Sequence, residues 1–442
     1  MTPLSREPLQ NDLDPLLRDS GLSEAEVEVL FNLALGPASD ADLRWNAKLK
    51  NDEDVESTVA SLSRRRLVHP GGAADPRHHL ADPGAIRDAL PGLAGRRLAL
   101  LARATRPAFF PAVVLNPALP PGGGSLGARY EELREAFDSR LPQVEIRTQT
   151  VCNLGCIYCY IRKDPRDSLT SRQLLNMFRR ASASGVNRLI LTGGESTMRK
   201  DLPVLIRGAR QAGFVDVQLF TNGLMFSYPD QLAAVMEAGL TSICLHASST
   251  DARLYERLAS RDRYGALEAA VRNLSRYPEL EVTLLSVVNR LNLHQLPETV
   301  SFFREWQRRT GFKRFVNHLI HCCVYSSSWD HRDSVLCSLT EAVPVVRALV
   351  ETYRSEPDPV MYQNIPICLM PDLEAHSYDL YLTFARLLRA TGRFDFTPLD
   401  TMFVKPPTCR SCVHWAYCIG LPRGYVRLFG SDEIHPVTAS GT

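Results

Sequence analysis

The chain has 442 residues, which allows about two to four domains with ample core. A formal net charge of +2 with 23% charged residues gives no electrostatic case for nucleic acid or an anionic membrane. No run of eighteen apolar residues offers a transmembrane helix, and Met1 to Asn11 lacks the basic and apolar regions of a signal peptide, so a cytoplasmic protein with reduced thiols and no membrane partner is expected.

Ser23 to Leu35 reads as a helix, opened by a Ser23/Glu26 capping-box pattern and stopped by Gly36-Pro37. A short helix follows Asp40, and a third runs from about Asp54 to Leu67. Leu67-Val68-His69, a Pro/Gly turn and His78-His79-Leu80 then form a candidate hairpin. Three helices and a hairpin resemble a winged-helix domain, placed at 1–87. Residues 88–143 are partly helical, with a Pro/Gly-rich linker at 116–127 and a short amphipathic helix from Tyr130 to Phe137.

From Val144 apolar runs alternate with helical patterns. Strands are expected at Val144–Arg147, Arg188–Leu191, Val217–Phe220, Ser242–Leu245, Val282–Val288 and Phe312–Val316. Helices are expected at Gln173–Ala183, Leu202–Ala212, Gln231–Ala238, Leu267–Leu274 and Leu296–Arg308. The alternation predicts a parallel sheet of six βα units over 144–338, a partial (β/α)6 TIM-type barrel with its chemistry at the C-terminal strand ends. Residues 339–442 turn helical, then loop-rich and cysteine-rich. The expected class is therefore α/β, with an N-terminal winged-helix-like domain and a C-terminal cysteine-rich domain.

Eleven cysteines in a reduced compartment call for another use than disulfides. None precedes Cys152. Three fall in Cys152-Asn-Leu-Gly-Cys156-Ile-Tyr-Cys159, just after the first strand. Three thiolates at this spacing can hold three irons of a cubane cluster and leave the fourth iron open. A structural zinc site is the competing reading, but zinc wants a fourth ligand and none follows nearby. Cys409, Cys412 and Cys418 form a second group, and Cys368 upstream brings it to four, enough for a [4Fe-4S] cluster or zinc. Cys244 reads as a buried small hydrophobe.

Cys-x3-Cys-x-aromatic-Cys after the first strand resembles the signature of the radical S-adenosylmethionine (SAM) superfamily. Leu191-Thr192-Gly193-Gly194-Glu195, Thr221-Asn222-Gly223, and Val287-Val288-Asn289 followed by Asn292 resemble later motifs of that superfamily, in the same order. The resemblance covers roughly Val144 to Val316. It implies a [4Fe-4S] cluster on Cys152, Cys156 and Cys159 whose open iron binds SAM and whose electron breaks SAM into methionine and a 5′-deoxyadenosyl radical. It implies cofactor-binding roles for Tyr158, Gly193, Gly194, Glu195, Asn222, His246, Val288 and Asn289. On this reading the glycines let backbone approach the methionine end, Glu195 accepts from its ammonium, and Tyr158 lies beside adenine. His246 reads equally as a core histidine, and Asn222 as an Asn-Gly turn. Ser196 stands where the superfamily commonly has proline, which alters the rigidity of that loop.

The C-terminal segment resembles the shortened auxiliary-cluster (twitch or SPASM-like) domains of radical SAM enzymes, which implies a second [4Fe-4S] cluster on Cys368, Cys409, Cys412 and Cys418. Cys322 and Cys323 follow the sixth strand. Either is a candidate catalytic hydrogen-atom donor, with buried packing as the alternative.

The resemblance implies a reductant such as flavodoxin or ferredoxin as partner, and a peptide as substrate, because peptide-modifying relatives pair a winged-helix-like domain with an auxiliary cluster. A free amino acid, nucleoside or sugar is the second reading, and an iron–sulfur DNA-binding regulator the third. Asp52, Glu53, Asp54 and Glu56 at the start of the third helix would face phosphates, which disfavours DNA.

Overall fold

A computed structural model describes residues 22–23, 25–26, 29–30, 52–70, 79–80, 110–111, 143–161, 168–183, 186–324, 326–380, 388–390, 403–415 and 418–438. The predicted helix after Asp40, the helical and linker features of 82–137 and most of the first helix lie outside these residues.

The chain divides into two compact units. The larger covers 114–399 and 416–418 and is built on one parallel sheet. Its strands are β1 (Gln143–Gln149), β2 (Arg188–Gly193), β3 (Asp216–Thr221), β4 (Ser242–His246), β5 (Glu281–Val288), β6 (Arg314–His321), β7 (Val360–Gln363) and β8 (Leu388–Ala390). The first seven lie in sequence order, each parallel to the next, and β8 pairs parallel to β1 on the other edge. This is the partial TIM-type barrel expected from the strand–helix alternation.

The helices cover one face. They are α1 (Ser171–Ala183), α2 (Leu202–Ala212), α3 (Pro229–Glu237), α4 (Ala252–Ala259), α5 (Tyr264–Leu274), α6 (Leu296–Thr310) and α7 (Leu339–Thr352). In α1 the buried residues Leu174, Met177, Phe178 and Ala181 follow the helical repeat. In α2 Pro203 starts the helix and Gly213, at φ 107°, ends it. Alternate strand residues such as Val144, Leu189, Val217, Ile243, Val282 and Phe315 join these helices in one core. Period-2 alternation turns the intervening residues to the other face of the sheet. On β5 those residues, Thr283, Leu285 and Val287, are only half-buried.

The sheet departs from the sequence reading at both edges, since β8 beside β1 was not expected either. Strand six begins at Arg314 rather than Phe312 and runs to His321 rather than Val316. Phe312 belongs instead to an aromatic cluster, its ring 4.8 Å from Trp306, beyond the left-handed Gly311 that closes α6. Asn317 and His318 broke the apolar run in the sequence, yet both pair with β5 and β7 and both are buried. Strand β7 was not anticipated, so the sheet extends past residue 338. Helix α4 was also missed.

The smaller unit comprises 1–113, 400–415 and 419–442. Here the Ser23/Glu26 capping box forms, with Ser23 N–H donating to Glu26 Oε2 at 2.7 Å and Glu26 N–H to Ser23 Oγ at 3.2 Å. Ser61 Oγ donates to Glu26 Oε1 at 2.7 Å, from a helix over Asp52–Arg64 that buries Val55, Val59 and Leu62. Val68–His69 pairs antiparallel with His79–Leu80, which is the expected hairpin. A three-stranded antiparallel sheet joins Phe110–Pro111, Phe403–Lys405 and Leu421–Pro422.

Candidate active site at the C-terminal strand ends

The loop after β1 carries Cys152, Cys156 and Cys159, all partly exposed. Its backbone is fixed from below. Gly155 N–H and Ile157 N–H donate to the carbonyls of Ala259 and Leu258, each at 3.0 Å, at the end of α4. Leu154, Tyr158 and Ile161 are buried and anchor the turns between the thiols. Cys159 N–H donates to the Cys156 carbonyl at 3.1 Å, and Leu154 N–H to Cys152 Sγ at 3.4 Å. No disulfide involves any of the eleven cysteines.

The Gly-Gly-Glu loop after β2 is clasped to the cysteine loop. Gly194 N–H donates to the Gln149 carbonyl at 2.7 Å, and Glu195 N–H to the Val151 carbonyl at 2.8 Å. Gln149 Nε2 returns a bond to the Glu195 carbonyl at 2.6 Å. A Cβ on Gly193, which sits at φ 142°, would lie 2.1 Å from the Gln149 oxygen, and one on Gly194 would lie 2.2 Å from the Val151 oxygen. Both glycines are thus required by backbone meeting backbone within the protein.

Glu195 is 1% exposed. Its Oε1 accepts from Thr197 N–H at 3.0 Å, Thr197 Oγ1 at 2.6 Å and Thr221 Oγ1 at 2.8 Å, and its Oε2 accepts from Asn222 N–H at 2.8 Å. Burial raises its pKa while these donors oppose the rise. In the structure four protein donors hold this carboxylate as a brace between the ends of β2 and β3. Ser196 replaces the rigidity of a proline by bonding: its Oγ lies 2.8 Å from Thr148 Oγ1 and 3.1 Å from the Thr192 carbonyl.

Asn222 reaches the cysteine loop directly. Its Nδ2 donates to Asn153 Oδ1 at 2.7 Å and stands 3.8 Å from Cys152 Sγ, and its Oδ1 accepts from Leu224 N–H at 3.1 Å. His246, at the end of β4, packs edge-on against Tyr158 at 5.3 Å and lies 3.2 Å from Ser248 Oγ. Burial pushes its pKa down to about 4, so the ring is neutral. Tyr158 is held well above its ordinary value by burial and by the neighbouring Cys156. Cys152, Tyr158, Asn222 and His246 are therefore brought to one end of the sheet.

Val288 and Asn289 are fully buried and serve the β5–α6 turn. Asn289 N–H donates to Asn292 Oδ1 at 2.9 Å, Asn289 Nδ2 to the Val287 carbonyl at 2.8 Å, and Asn292 Nδ2 to the Ser248 carbonyl at 2.7 Å. Their side chains brace β5 to the end of β4. Val288 offers its carbonyl to Cys322 N–H at 3.0 Å. Cys322 is buried, and its thiol is pushed well above the usual range by burial, then by Cys323, Cys337 and Cys159. Cys323 is partly exposed and lies 3.1 Å from Asn364 Nδ2.

Cys368 sits partly exposed in a short turn at Ile367–Leu369 of the larger unit. In the smaller unit a turn over Pro407–Ser411 brings Cys412 N–H to the Cys409 carbonyl at 3.0 Å. Below that turn Lys405 is buried, its Nζ donating to the Trp415 carbonyl at 2.6 Å. Cys418 is partly exposed.

Residues 146–303 match the family model for the Radical SAM superfamily. The chain carries a radical SAM domain. Enzymes of that superfamily use SAM and a [4Fe-4S] cluster, and the donor set after β1 fits one: three unbridged thiols on a pinned, partly exposed loop. Among the described residues no three His, Cys, Asp or Glu side chains converge as ligands of one metal ion. Thiolates of a cubane bind separate irons and stand further apart than the ligands of a single ion.

Among curated relatives, a probable GTP 3′,8-cyclase of Saccharolobus solfataricus is 30% identical over 162 residues, 36% of this chain and 51% of the relative. A GTP 3′,8-cyclase of Chlorobaculum tepidum is 29% identical over 185 residues, 40% of this chain and 54% of the relative. The chain spans about half the length of these relatives. Among solved structures, Streptococcus suis SuiB bound to precursor peptide SuiA gives a TM-score of 0.41 at 15% identity, over 53% of this chain and 52% of that one. Methylornithine synthase (PylB) gives 0.41 at 14% identity, over 65% and 84%.

Asn153, Thr221 and Ser248 also belong to this site: the first two stand inside the motifs quoted above but were given no role there, and Ser248 was not singled out. Each adjoins a recognised motif residue, but nothing in the sequence shows which donor meets which acceptor.

Proposed function

We propose that this chain reductively cleaves SAM at a [4Fe-4S] cluster held by Cys152, Cys156 and Cys159, and that the 5′-deoxyadenosyl radical so formed takes a hydrogen atom from a substrate at the C-terminal end of the sheet. The carrying observation is the clasp: the thiol loop is bound to the Gly-Gly-Glu loop through Gly194 and Glu195, and to the end of β3 through Asn222. The cluster supplies the electron and the open iron. The protein's own work is to hold the loop, present the glycine-rich backbone beside it and keep His246 neutral against Tyr158.

A peptide substrate is supported by the capped helix and hairpin of the smaller unit and by the additional thiols Cys368, Cys409, Cys412 and Cys418, which we assign to an auxiliary [4Fe-4S] cluster. The residues 1–87 would then capture the peptide, and flavodoxin or ferredoxin would supply electrons. A small-molecule substrate is favoured by the relatives named GTP 3′,8-cyclase. The anaerobically reconstituted chain, reduced in the presence of SAM, should release 5′-deoxyadenosine. Added GTP should leave that release unchanged if the substrate is a peptide and should be consumed if the substrate is GTP itself.

A further inference from the structure

Beyond β6 and β7 lies a buried polar group that the radical chemistry does not use. Asn364 follows β7 directly and adopts a left-handed backbone at φ 61°. Three bonds hold it there. Its Nδ2 donates to the His321 carbonyl at 3.0 Å and stands 3.1 Å from Cys323 Sγ, and its N–H donates to Asp379 Oδ2 at 2.7 Å. Asp379 is 5% exposed, and its other oxygen, Oδ1, has no hydrogen-bond partner. Burial pushes its pKa up to about 7, opposed by the Asn364 N–H and the Gln363 side chain. Among the described residues no cation offsets the charge of this buried carboxylate.

Gln363 also bonds His318, which is 3% exposed and whose Nε2 has no partner. The His318 ring lies 4.1 Å from that of Tyr378. Phe315 points into the helix-side core, so the alternation of β6 turns His318 to the inner face of the sheet, and Met361 and Gln363 of β7 pair beside His318 and Ile320. This is the end of a parallel sheet where ligands bind. The loop following β6 also reaches the cysteine loop, where Ser326 Oγ donates to the Ile161 carbonyl at 3.3 Å.

We propose that Asp379, flanked by Gln363 at the C-terminal end of β7 and by His318 on the inner face of β6, is a binding site for a positively charged nitrogen of the substrate, an ammonium or a guanidinium. This rests on the reading that substrate occupies that end of the sheet. The cation would take Oδ1 and supply the missing charge. The aromatic wall of His318 and Tyr378 would cover its apolar stem.

The test is calorimetric titration of the reconstituted, SAM-loaded full chain with two small cations, n-butylammonium and methylguanidinium, and with their neutral isosteres n-butanol and N-methylurea. One of the cations should bind, its isostere should not, and Asp379→Asn should weaken the cation about tenfold or more. Equal binding of cation and isostere, no binding of either cation, or full affinity in Asp379→Asn would overturn the proposal. The cation-against-isostere comparison holds even if the variant fails to fold. Release of 5′-deoxyadenosine by the same wild-type preparation is scored separately, so a failure of the radical reading is told apart from a failure of the cation site.

Discussion

Glu195 Oε2 accepts the backbone N–H of Asn222 at 2.8 Å, and Asn222 in turn holds Asn153 beside the first cysteine at 2.7 Å. The carboxylate of the Gly-Gly-Glu loop thus fixes the cysteine loop through one intermediary. Glu195→Ala would strand the donors of Thr197, Thr221 and Asn222 in a buried site and should cost about 3 kcal/mol or more of stability. In Glu195→Gln the amide oxygen can keep the three donors at Oε1, but its NH2 would then oppose the Asn222 N–H. That variant should lose about 1–2 kcal/mol and bind less iron, with thermal melting and iron content as the readouts. Unchanged melting in both variants would contradict the brace.

The two glycines make a sharper prediction. Alanine at 194 would put a Cβ 2.2 Å from a backbone oxygen, which no side-chain adjustment can relieve. Gly194→Ala should cost about 2 kcal/mol or more and lower cluster loading. Gly265, with open space around it, is the control and should accept alanine with little change. Similar melting temperatures for the two variants would show that the loops do not meet as described.

Asp379 should shape stability with pH. Its folded pKa is raised from 3.8 to about 7, so the native state holds this proton more tightly than the unfolded chain. The stabilisation is complete below about pH 4 and is lost as pH rises through about 7. Of the described groups near it, His318 is pushed down to about 3 and stays neutral across this window. Relative to Asp379→Asn, the wild type should lose stability between pH 4 and pH 7 and change little above pH 8. Parallel melting curves at pH 5 and pH 8 would count against the assignment.

The second thiol group predicts an iron count. If Cys368, Cys409, Cys412 and Cys418 hold a cluster of their own, Cys409→Ala combined with Cys412→Ala should remove about half the iron. The loss should leave 5′-deoxyadenosine release in place. Full iron with bound zinc would replace the cluster assignment by a structural zinc site.

Much of this site was legible in the sequence because its signals are local. The cysteine spacing, Gly-Gly-Glu and Asn222 each stand at the end of an apolar strand, and six of the strands follow from apolar runs alone. Strand β6 was cut short because Asn317 and His318 interrupt its pattern, although sheet pairing and burial carry them. Strand β7 was missed because four residues after a loop carry too little periodicity. The donors that fold around Glu195 were not legible, because a sequence gives the acceptor but not its partners. Asp379 carried no signal at all, since its partners Gln363 and Asn364 lie fifteen or more positions away and meet it only in the folded sheet.

The central claim is tested most directly by SAM cleavage in cysteine variants. The chain and the variants Cys152→Ala, Cys156→Ala and Cys159→Ala would be reconstituted anaerobically, reduced with dithionite, and assayed for 5′-deoxyadenosine and methionine. The wild type should release both in equal amounts, and each variant should release neither while remaining folded. Release of 5′-deoxyadenosine by any of the three variants at the wild-type rate would contradict the account.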